Sequence, residues 1–207
     1  MTLIAVLDYG IGNLRSAQKA LERVGADARL TDDHGLVRDA SGVVLPGVGA
    51  FGRCMEALEA RGLDELAVET ALSGKPFLGV CVGMQMLYKA SEEAPDVPGL
   101  GVLPGVVRRL PAGVKRPQMQ WNVLQHTADS WLLADLPNPT WAYFVHSYAA
   151  EPDEHTVAVT DYPNPLSAAV EVGPLAATQF HPEKSGMAGL KLLANFVRQA
   201  GVHPEIA

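Results

Sequence analysis

Cysteine is scarce in this sequence: Cys54 and Cys81 are the only two among 207 residues. A secreted disulfide scaffold carries more, and a metal site sets its cysteines closer together. Basic charge is also in short supply, with 16 Lys and Arg against 23 Asp and Glu, a net charge of -7. No basic stripe is present to neutralise phosphates, so nucleic-acid binding is not expected. Arg108, Arg109, Lys115 and Arg116 form a local exception, read either as a solvated strand edge or as a partner-facing patch. No apolar run approaches the ~20 residues that span a bilayer. The first residues run straight into an apolar strand, without the basic segment and cleavage site of a signal peptide. These absences lead us to expect a cytoplasmic protein with reduced thiols, no membrane segment, no metal and no cofactor.

What is present is apolar material for one core: 48% hydrophobic against 19% charged residues. There is no internal repeat and no linker, so one domain over 1–207 is expected. The first half alternates strand and helix patterns. Leu3–Leu7 reads as a strand covered on both faces. Asn13 is a candidate cap for a helix carrying Leu14, Ala17, Leu21 and Val24 at helical spacing, which Gly25 ends. Strands are predicted at 28–31, 43–45 and 76–80, and helices at 53–61, 63–72 and 83–89. The second half holds shorter strands with several alternating patterns, at 101–110, 118–124, 141–148, 156–161, 166–172 and 175–180. A final amphipathic helix covers 185–199. The expected fold class is α/β: a mainly parallel open sheet flanked by helices, with antiparallel strand additions.

The strongest chemical signal is Phe77-Leu78-Gly79-Val80-Cys81-Val82-Gly83-Met84-Gln85. An apolar strand meets a Gly-x-Cys-x-Gly turn, and a helix follows. This is the form of a nucleophile elbow, with cysteine in place of serine. The flanking glycines relieve crowding at a sharp turn, and the positive end of the next helix favours negative charge on sulfur. The N–H of Val82 is placed to receive an oxyanion. A small buried cysteine between two packing glycines is the competing account.

A cysteine nucleophile needs a base, and the base an orienting group. Of six histidines, His181 ends an alternating strand and is followed by Pro182 and Glu183. If the segment stays extended, His181 and Glu183 point to one side, and the carboxylate can hold the imidazole in one tautomer. An ordinary surface His and Glu at a strand end is the alternative. Gly47-Val48-Gly49-Ala50-Phe51-Gly52 satisfies the Gly-x-Gly-x-x-Gly fingerprint of dinucleotide sites. It follows a later strand, is stiffened by Pro46, and lacks an acidic strand end about 20 positions on, which argues against nucleotide binding.

Gly-x-Cys-x-Gly-x-Gln together with the later His-Pro-Glu resembles the class I, triad-type glutamine amidotransferases, which have a flavodoxin-like sheet. The resemblance makes Cys81 the nucleophile, His181 the base and Glu183 the orienting acid of an enzyme that takes L-glutamine to glutamate and ammonia through a thioester. It gives Val48, Gly49 and Val82 to the oxyanion hole. Gly47, Gln85, Glu93, His146, Ser147 and Tyr148 fall on substrate-contacting positions. For Gln85 a polar helix surface, and for His146 a satisfied strand histidine, are the bland alternatives.

The finer motifs are Asp8-Tyr9-Gly10-Ile11-Gly12-Asn13-Leu14-Arg15-Ser16, Gln120-Trp121-Asn122, Tyr143–Tyr148 and Gln179–Ser185. They are similar to the glutaminase subunits of imidazole glycerol phosphate synthases, over residues 3 to 199. That resemblance implies a separate (β/α)8-barrel cyclase subunit as partner, with Asn13, Trp121, Tyr143 and Lys184 at or near the interface. Helix cap, core aromatic, strand aromatic and surface lysine are their alternatives. The family usually has Met-Gly-Trp-Asn where this chain has Met119-Gln120-Trp121-Asn122, which leaves the local backbone open. A stand-alone cysteine hydrolase and a noncatalytic binding subunit are the competing functions. Cys54, in a helical pattern, is expected to be a buried structural thiol.

Overall fold

A computed structural model describes residues 1–202; the last five positions of the expected domain span lie outside the described residues. The chain forms β1 (Leu3–Leu7), α1 (Leu14–Arg23), β2 (Asp27–Thr31), α2 (His34–Asp39), β3 (Gly42–Gly47), α3 (Phe51–Ala60), α4 (Asp64–Leu72), β4 (Phe77–Cys81) and α5 (Val82–Leu87). It continues with β5 (Tyr88–Ser91), β6 (Leu103–Arg109), β7 (Gln118–His126), β8 (Thr140–His146), β9 (Tyr148–Ala149), β10 (Thr156–Asp161), β11 (Pro165–Val172) and β12 (Leu175–Thr178). A 3-10 turn over Pro182–Lys184 leads into α6 (Gly186–Gly201).

Nine strands make one sheet in the order β2-β1-β3-β4-β12-β11-β10-β7-β8. The half from β2 to β12 is parallel. From β12 through β11, β10 and β7 to β8 it is antiparallel. β5, β6 and β9 form a smaller sheet. The mixed α/β architecture is the one expected. Its parallel strands read as continuous apolar runs because helices cover both faces, and every residue of β3, β4 and β12 is buried.

The order of strands positions the chemistry. β3 and β4 run parallel with Gly47 opposite Cys81, so the loop after β3 lies beside the turn after β4. β12 arrives from the far end of the chain and pairs with the other edge of β4, with Thr178 opposite Val80. The segment just after Thr178 therefore emerges next to Cys81. This is the carboxyl end of the parallel strands, where open α/β sheets place their ligands.

Three local expectations change, and one short helix, α2, is added to those expected. Asn13 sits at the start of α1 but its side chain does not cap the helix. α5 stops at Leu87, and Tyr88–Ser91 leaves it as a strand paired with β6. α2, capped by Asp33 accepting from Leu36 N–H at 2.7 Å, has too few residues to show a helical period. Beyond His181 the chain does not stay extended but closes into the 3-10 turn.

Candidate active site

Cys81 ends β4 with φ 56° and ψ -111° and opens α5 directly. A non-glycine residue at such a φ is strained by clash of its Cβ, and it persists only where the surroundings over-determine it. Here they do. A Cβ on Gly83 would lie 1.9 Å from the Leu45 carbonyl oxygen, and one on Gly79 2.9 Å from Leu87 Cδ1. Helix α5 is thus pressed against β3 and β4, and the chain must reverse within one residue. The side chain of Cys81 is left at the floor of a cavity of about 530 Å³.

His181 and Glu183 form a buried ion pair behind this floor. Nδ1 of His181 lies 2.8 Å from Oε1 of Glu183, with the side chains 2% and 4% exposed. The Glu183 carboxylate accepts, so Nδ1 carries the hydrogen. Nε2 then faces the Cys81 side, buried and without a further partner among the described residues. Burial by itself drives the ring toward its neutral form. Hydrogen bonding and charge from Cys81 and Glu183 outweigh it, and the pKa is pushed up to about 9. For Glu183 burial favours the neutral acid, but its bonds to His181 and Asn13 and the His181 charge hold it below the usual carboxylate range.

The backbone of the triad loop is anchored to β8. His181 N–H donates to Tyr143 O at 3.0 Å, Tyr143 N–H to Ser185 Oγ at 3.0 Å, and Ser185 Oγ to His181 O at 2.7 Å. Glu183 reaches His181 because the 3-10 turn folds it back, not because the strand continues.

The cavity wall holds Val48, Gly49, Val82, Gln85, Glu93, His146, Ser147 and Tyr148, together with Asn13 and Lys184. Glu93 accepts from Phe51 N–H at 2.8 Å through Oε2, which fixes the carboxylate at the start of α3. Gln85 is buried, not on a helix surface, and its Nε2 donates to Tyr148 O at 2.9 Å and to Gln179 Oε1 at 3.0 Å. Both N–H hydrogens are engaged, so only Oε1 is free to meet a ligand, as an acceptor. His146 donates from Nδ1 to Tyr148 O at 3.0 Å. Burial lowers its pKa to about 4 against the Tyr148 bond, with the His181 charge adding to the effect, so its ring is neutral near pH 7. Gly47 does not line the cavity. It lies beneath the loop, where a Cβ would come 2.5 Å from Gly83 N.

This arrangement can do acyl transfer. A thiol beside an oriented imidazole, backbone amides at a helix start, and a walled cavity with one fixed carboxylate suit attack on a small amide that carries an ammonium group.

Known proteins agree with the chemistry. The family model "Glutamine amidotransferase class-I" matches residues 5–200. "Imidazole glycerol phosphate synthase subunit HisH" of Methanothermobacter thermautotrophicus is 50% identical, over 94% of this chain and 98% of its own length. The protein of that name from Symbiobacterium thermophilum is 48% identical, over 96% and 94%. The chain belongs to this family, the glutaminase subunits of imidazole glycerol phosphate synthase. It is a glutamine-hydrolysing enzyme of the class I amidotransferases. Solved structures agree on the fold. A glutamine amidotransferase superposes with a TM-score of 0.76 at 22% identity, covering 96% of this chain and 99% of that one. The structure of PurLQS from Thermotoga maritima gives 0.75 at 21%, covering 95% and 98%.

In this glutaminase, Asn13 belongs to the triad's surroundings more directly than the sequence suggested, since its Nδ2 donates to Glu183 Oε1 at 3.2 Å. Trp121 and Tyr143 sit opposite each other on β7 and β8, ring centroids 6.1 Å apart, with Trp121 48% exposed. Trp121 is therefore no core aromatic. Gln120 pairs with Phe144 in an unbroken ladder, so its presence in place of glycine leaves the local backbone a regular strand.

Tyr9 and Gln179 escaped sequence reasoning, whereas Cys54 is the buried thiol expected, with a partner that the sequence did not show. Tyr9 donates to Pro46 O at 2.5 Å, and Cys54 donates from Sγ to Val48 O at 3.4 Å. Burial pushes the Tyr9 hydroxyl far above its usual range and the Cys54 thiol up to about 11, so both stay protonated donors. Together they hold the carbonyls of Pro46, at the end of β3, and Val48, just beyond it. Gln179 is fully buried, with Nε2 3.8 Å from Cys81 Sγ. Its spacing of two from His181 along a strand was the only available sign.

Proposed function

We propose that Cys81 is the nucleophile, His181 the general base and Glu183 its orienting acid. The observation that carries this is one cavity in which the strained Cys81 faces the buried His181–Glu183 pair. The thiol proton of Cys81 passes to His181, and the charged sulfur attacks the side-chain amide carbon of L-glutamine. The tetrahedral oxyanion is received by the N–H of Val82 and by N–H groups of Val48 and Gly49. Collapse breaks the C–N bond, and the His181 proton leaves with nitrogen as ammonia. Water, deprotonated by the same imidazole, then hydrolyses the thioester to glutamate and restores the thiol.

Glu93 binds the substrate ammonium. Gln85 accepts from a substrate N–H, and His146, Ser147 and Tyr148 flank the substrate backbone. Gly47 keeps the oxyanion loop against the elbow, leaving no room for a side chain. The last assignment rests on Gly47's place beneath the loop and replaces direct substrate contact.

The partner is a (β/α)8-barrel cyclase subunit in a cytoplasmic heterodimer, docking over Trp121, Tyr143 and Lys184 with Asn13 at the margin. It takes the ammonia to make imidazole glycerol phosphate and aminoimidazole carboxamide ribotide. The aromatic pair across β7 and the edge strand β8, with Trp121 exposed and Tyr143 half-buried, supports this surface. We take 1–207 as one amidotransferase domain.

The test is glutamine hydrolysis by this chain alone, with a barrel partner, and as Cys81→Ser. Stimulation by the partner and loss in Cys81→Ser are expected. Vigorous activity indifferent to any cyclase subunit would overturn the coupled reading. Hydrolysis surviving in Cys81→Ser would overturn the nucleophile.

A further inference from the structure

We propose that Gln179 is a further catalytic residue, whose side-chain N–H donates to Cys81 Sγ and holds negative charge on the sulfur while the thiol proton resides on His181. The inference rests on Cys81 being the nucleophile.

The orientation follows from one backbone atom. Tyr148 O is a carbonyl and can only accept. The Gln85 side-chain atom 2.9 Å from it is therefore the amide nitrogen. That same nitrogen lies 3.0 Å from the Gln179 side chain, which must present its oxygen there. The remaining Gln179 atom, 3.8 Å from Cys81 Sγ, is then the nitrogen with its hydrogens. Flipping Gln179 would set two N–H groups against each other and aim an oxygen lone pair at the sulfur.

Burial makes the contact count. Gln179 is 0% exposed and Cys81 2% exposed, so water does not substitute for the amide. The Gln179 main chain is held as well, donating to Ala168 O at 2.9 Å. An N–H aimed at sulfur is worth most when the sulfur is charged, the state from which attack on the substrate starts.

The experiment follows alkylation of Cys81 by iodoacetamide against pH, read on the Cys81 peptide by mass spectrometry, in the full chain and in Gln179→Met. Gln179→Met keeps the length of the side chain and removes the donor. Alkylation near pH 7 should slow about tenfold, with the profile displaced to higher pH and its upper plateau unchanged. The kcat for glutamine should fall with it. An unchanged alkylation profile beside a reduced kcat would make Gln179 a packing residue and overturn the proposal. Glutamine hydrolysis surviving in Cys81→Ser would instead remove the nucleophile reading beneath it. If Gln179→Met does not fold, the side-chain amide resonance of Gln179 in the native chain decides. It should shift with pH and lose that response in Cys81→Ala; a resonance indifferent to both overturns the proposal.

Discussion

Asn13 and Glu183 lie 170 positions apart in sequence, yet Asn13 Nδ2 donates to Glu183 Oε1 at 3.2 Å. The same oxygen accepts from His181 at 2.8 Å. The carboxylate is thus fixed from two sides, and the imidazole with it. Asn13→Ala should lower kcat for glutamine about tenfold with KM little changed, since an interaction with a buried charged group is lost without touching the substrate. Steady-state kinetics with the partner present measures it. A changed KM at constant kcat would place Asn13 on the substrate instead.

The strain at Cys81 is separable from its chemistry. Cys81→Gly and Cys81→Ala should both abolish hydrolysis. The glycine variant should be the more stable of the two by about 1 kcal/mol, because only glycine accepts a φ of 56° freely. At an ordinary position the order is reversed, so paired urea midpoints decide. Gly83→Ala should lose about 3 kcal/mol or fail to fold, since its Cβ meets a backbone oxygen at 1.9 Å that has nowhere to go.

His146 sets an acid limb on stability. Its folded pKa, lowered to about 4 chiefly by burial, lies below the unfolded value near 6.5. Between these values the unfolded chain binds more protons, so stability falls as pH falls through that window and levels below it. The full effect is about 3 kcal/mol. His146→Asn should flatten this limb in thermal melts between pH 4 and 6.5. A limb of unchanged depth in the variant would assign it to the carboxylates.

Tyr9 and Cys54, beneath the loop proposed to receive the oxyanion, should act on rate more than on binding. Cys54→Ala frees Val48 O, and we expect kcat to fall about threefold at constant KM, with Cys54→Ser restoring it through a hydroxyl donor. Tyr9→Phe should act likewise and cost about 1–2 kcal/mol of stability, since Pro46 O loses its buried donor. Equal kcat in Cys54→Ala and wild type would show that the loop holds its shape without the thiol.

Trp121→Ala should weaken association with the proposed barrel subunit about tenfold or more and leave the melting temperature of the isolated chain unchanged, because the ring is half exposed. Titration calorimetry against differential scanning separates the two readouts.

The chemistry and much of the frame were legible in the linear sequence for local reasons. Apolar runs bounded by glycine gave β1, β3 and β4, because a strand covered on both faces has no polar alternation to hide it. Gly79, Cys81 and Gly83 announced the elbow, since a reversal within one residue excludes side chains around it. The end of β12 was less clear, since the alternating pattern runs to Phe180 while the strand stops at Thr178. Other features were not legible. Tyr88 and Lys89 looked like the tail of a helix, and only pairing with β6 makes Tyr88–Ser91 a strand. Asn13 looked like a cap, and the competing partner was a carboxylate from the other end of the chain.

The sequence by itself determined the class of chemistry, the helix and strand periods and the family to which the chain belongs, since these depend on spacing along the chain. Only the tertiary structure decided what surrounds those groups. It carried β12 across to the free edge of β4, folded Glu183 back through a 3-10 turn, and set Gln179 against the Cys81 sulfur and Tyr9 and Cys54 against the end of β3. Those contacts depend on which strands are neighbours, and strand order is fixed by long-range packing that leaves no periodic trace in the sequence.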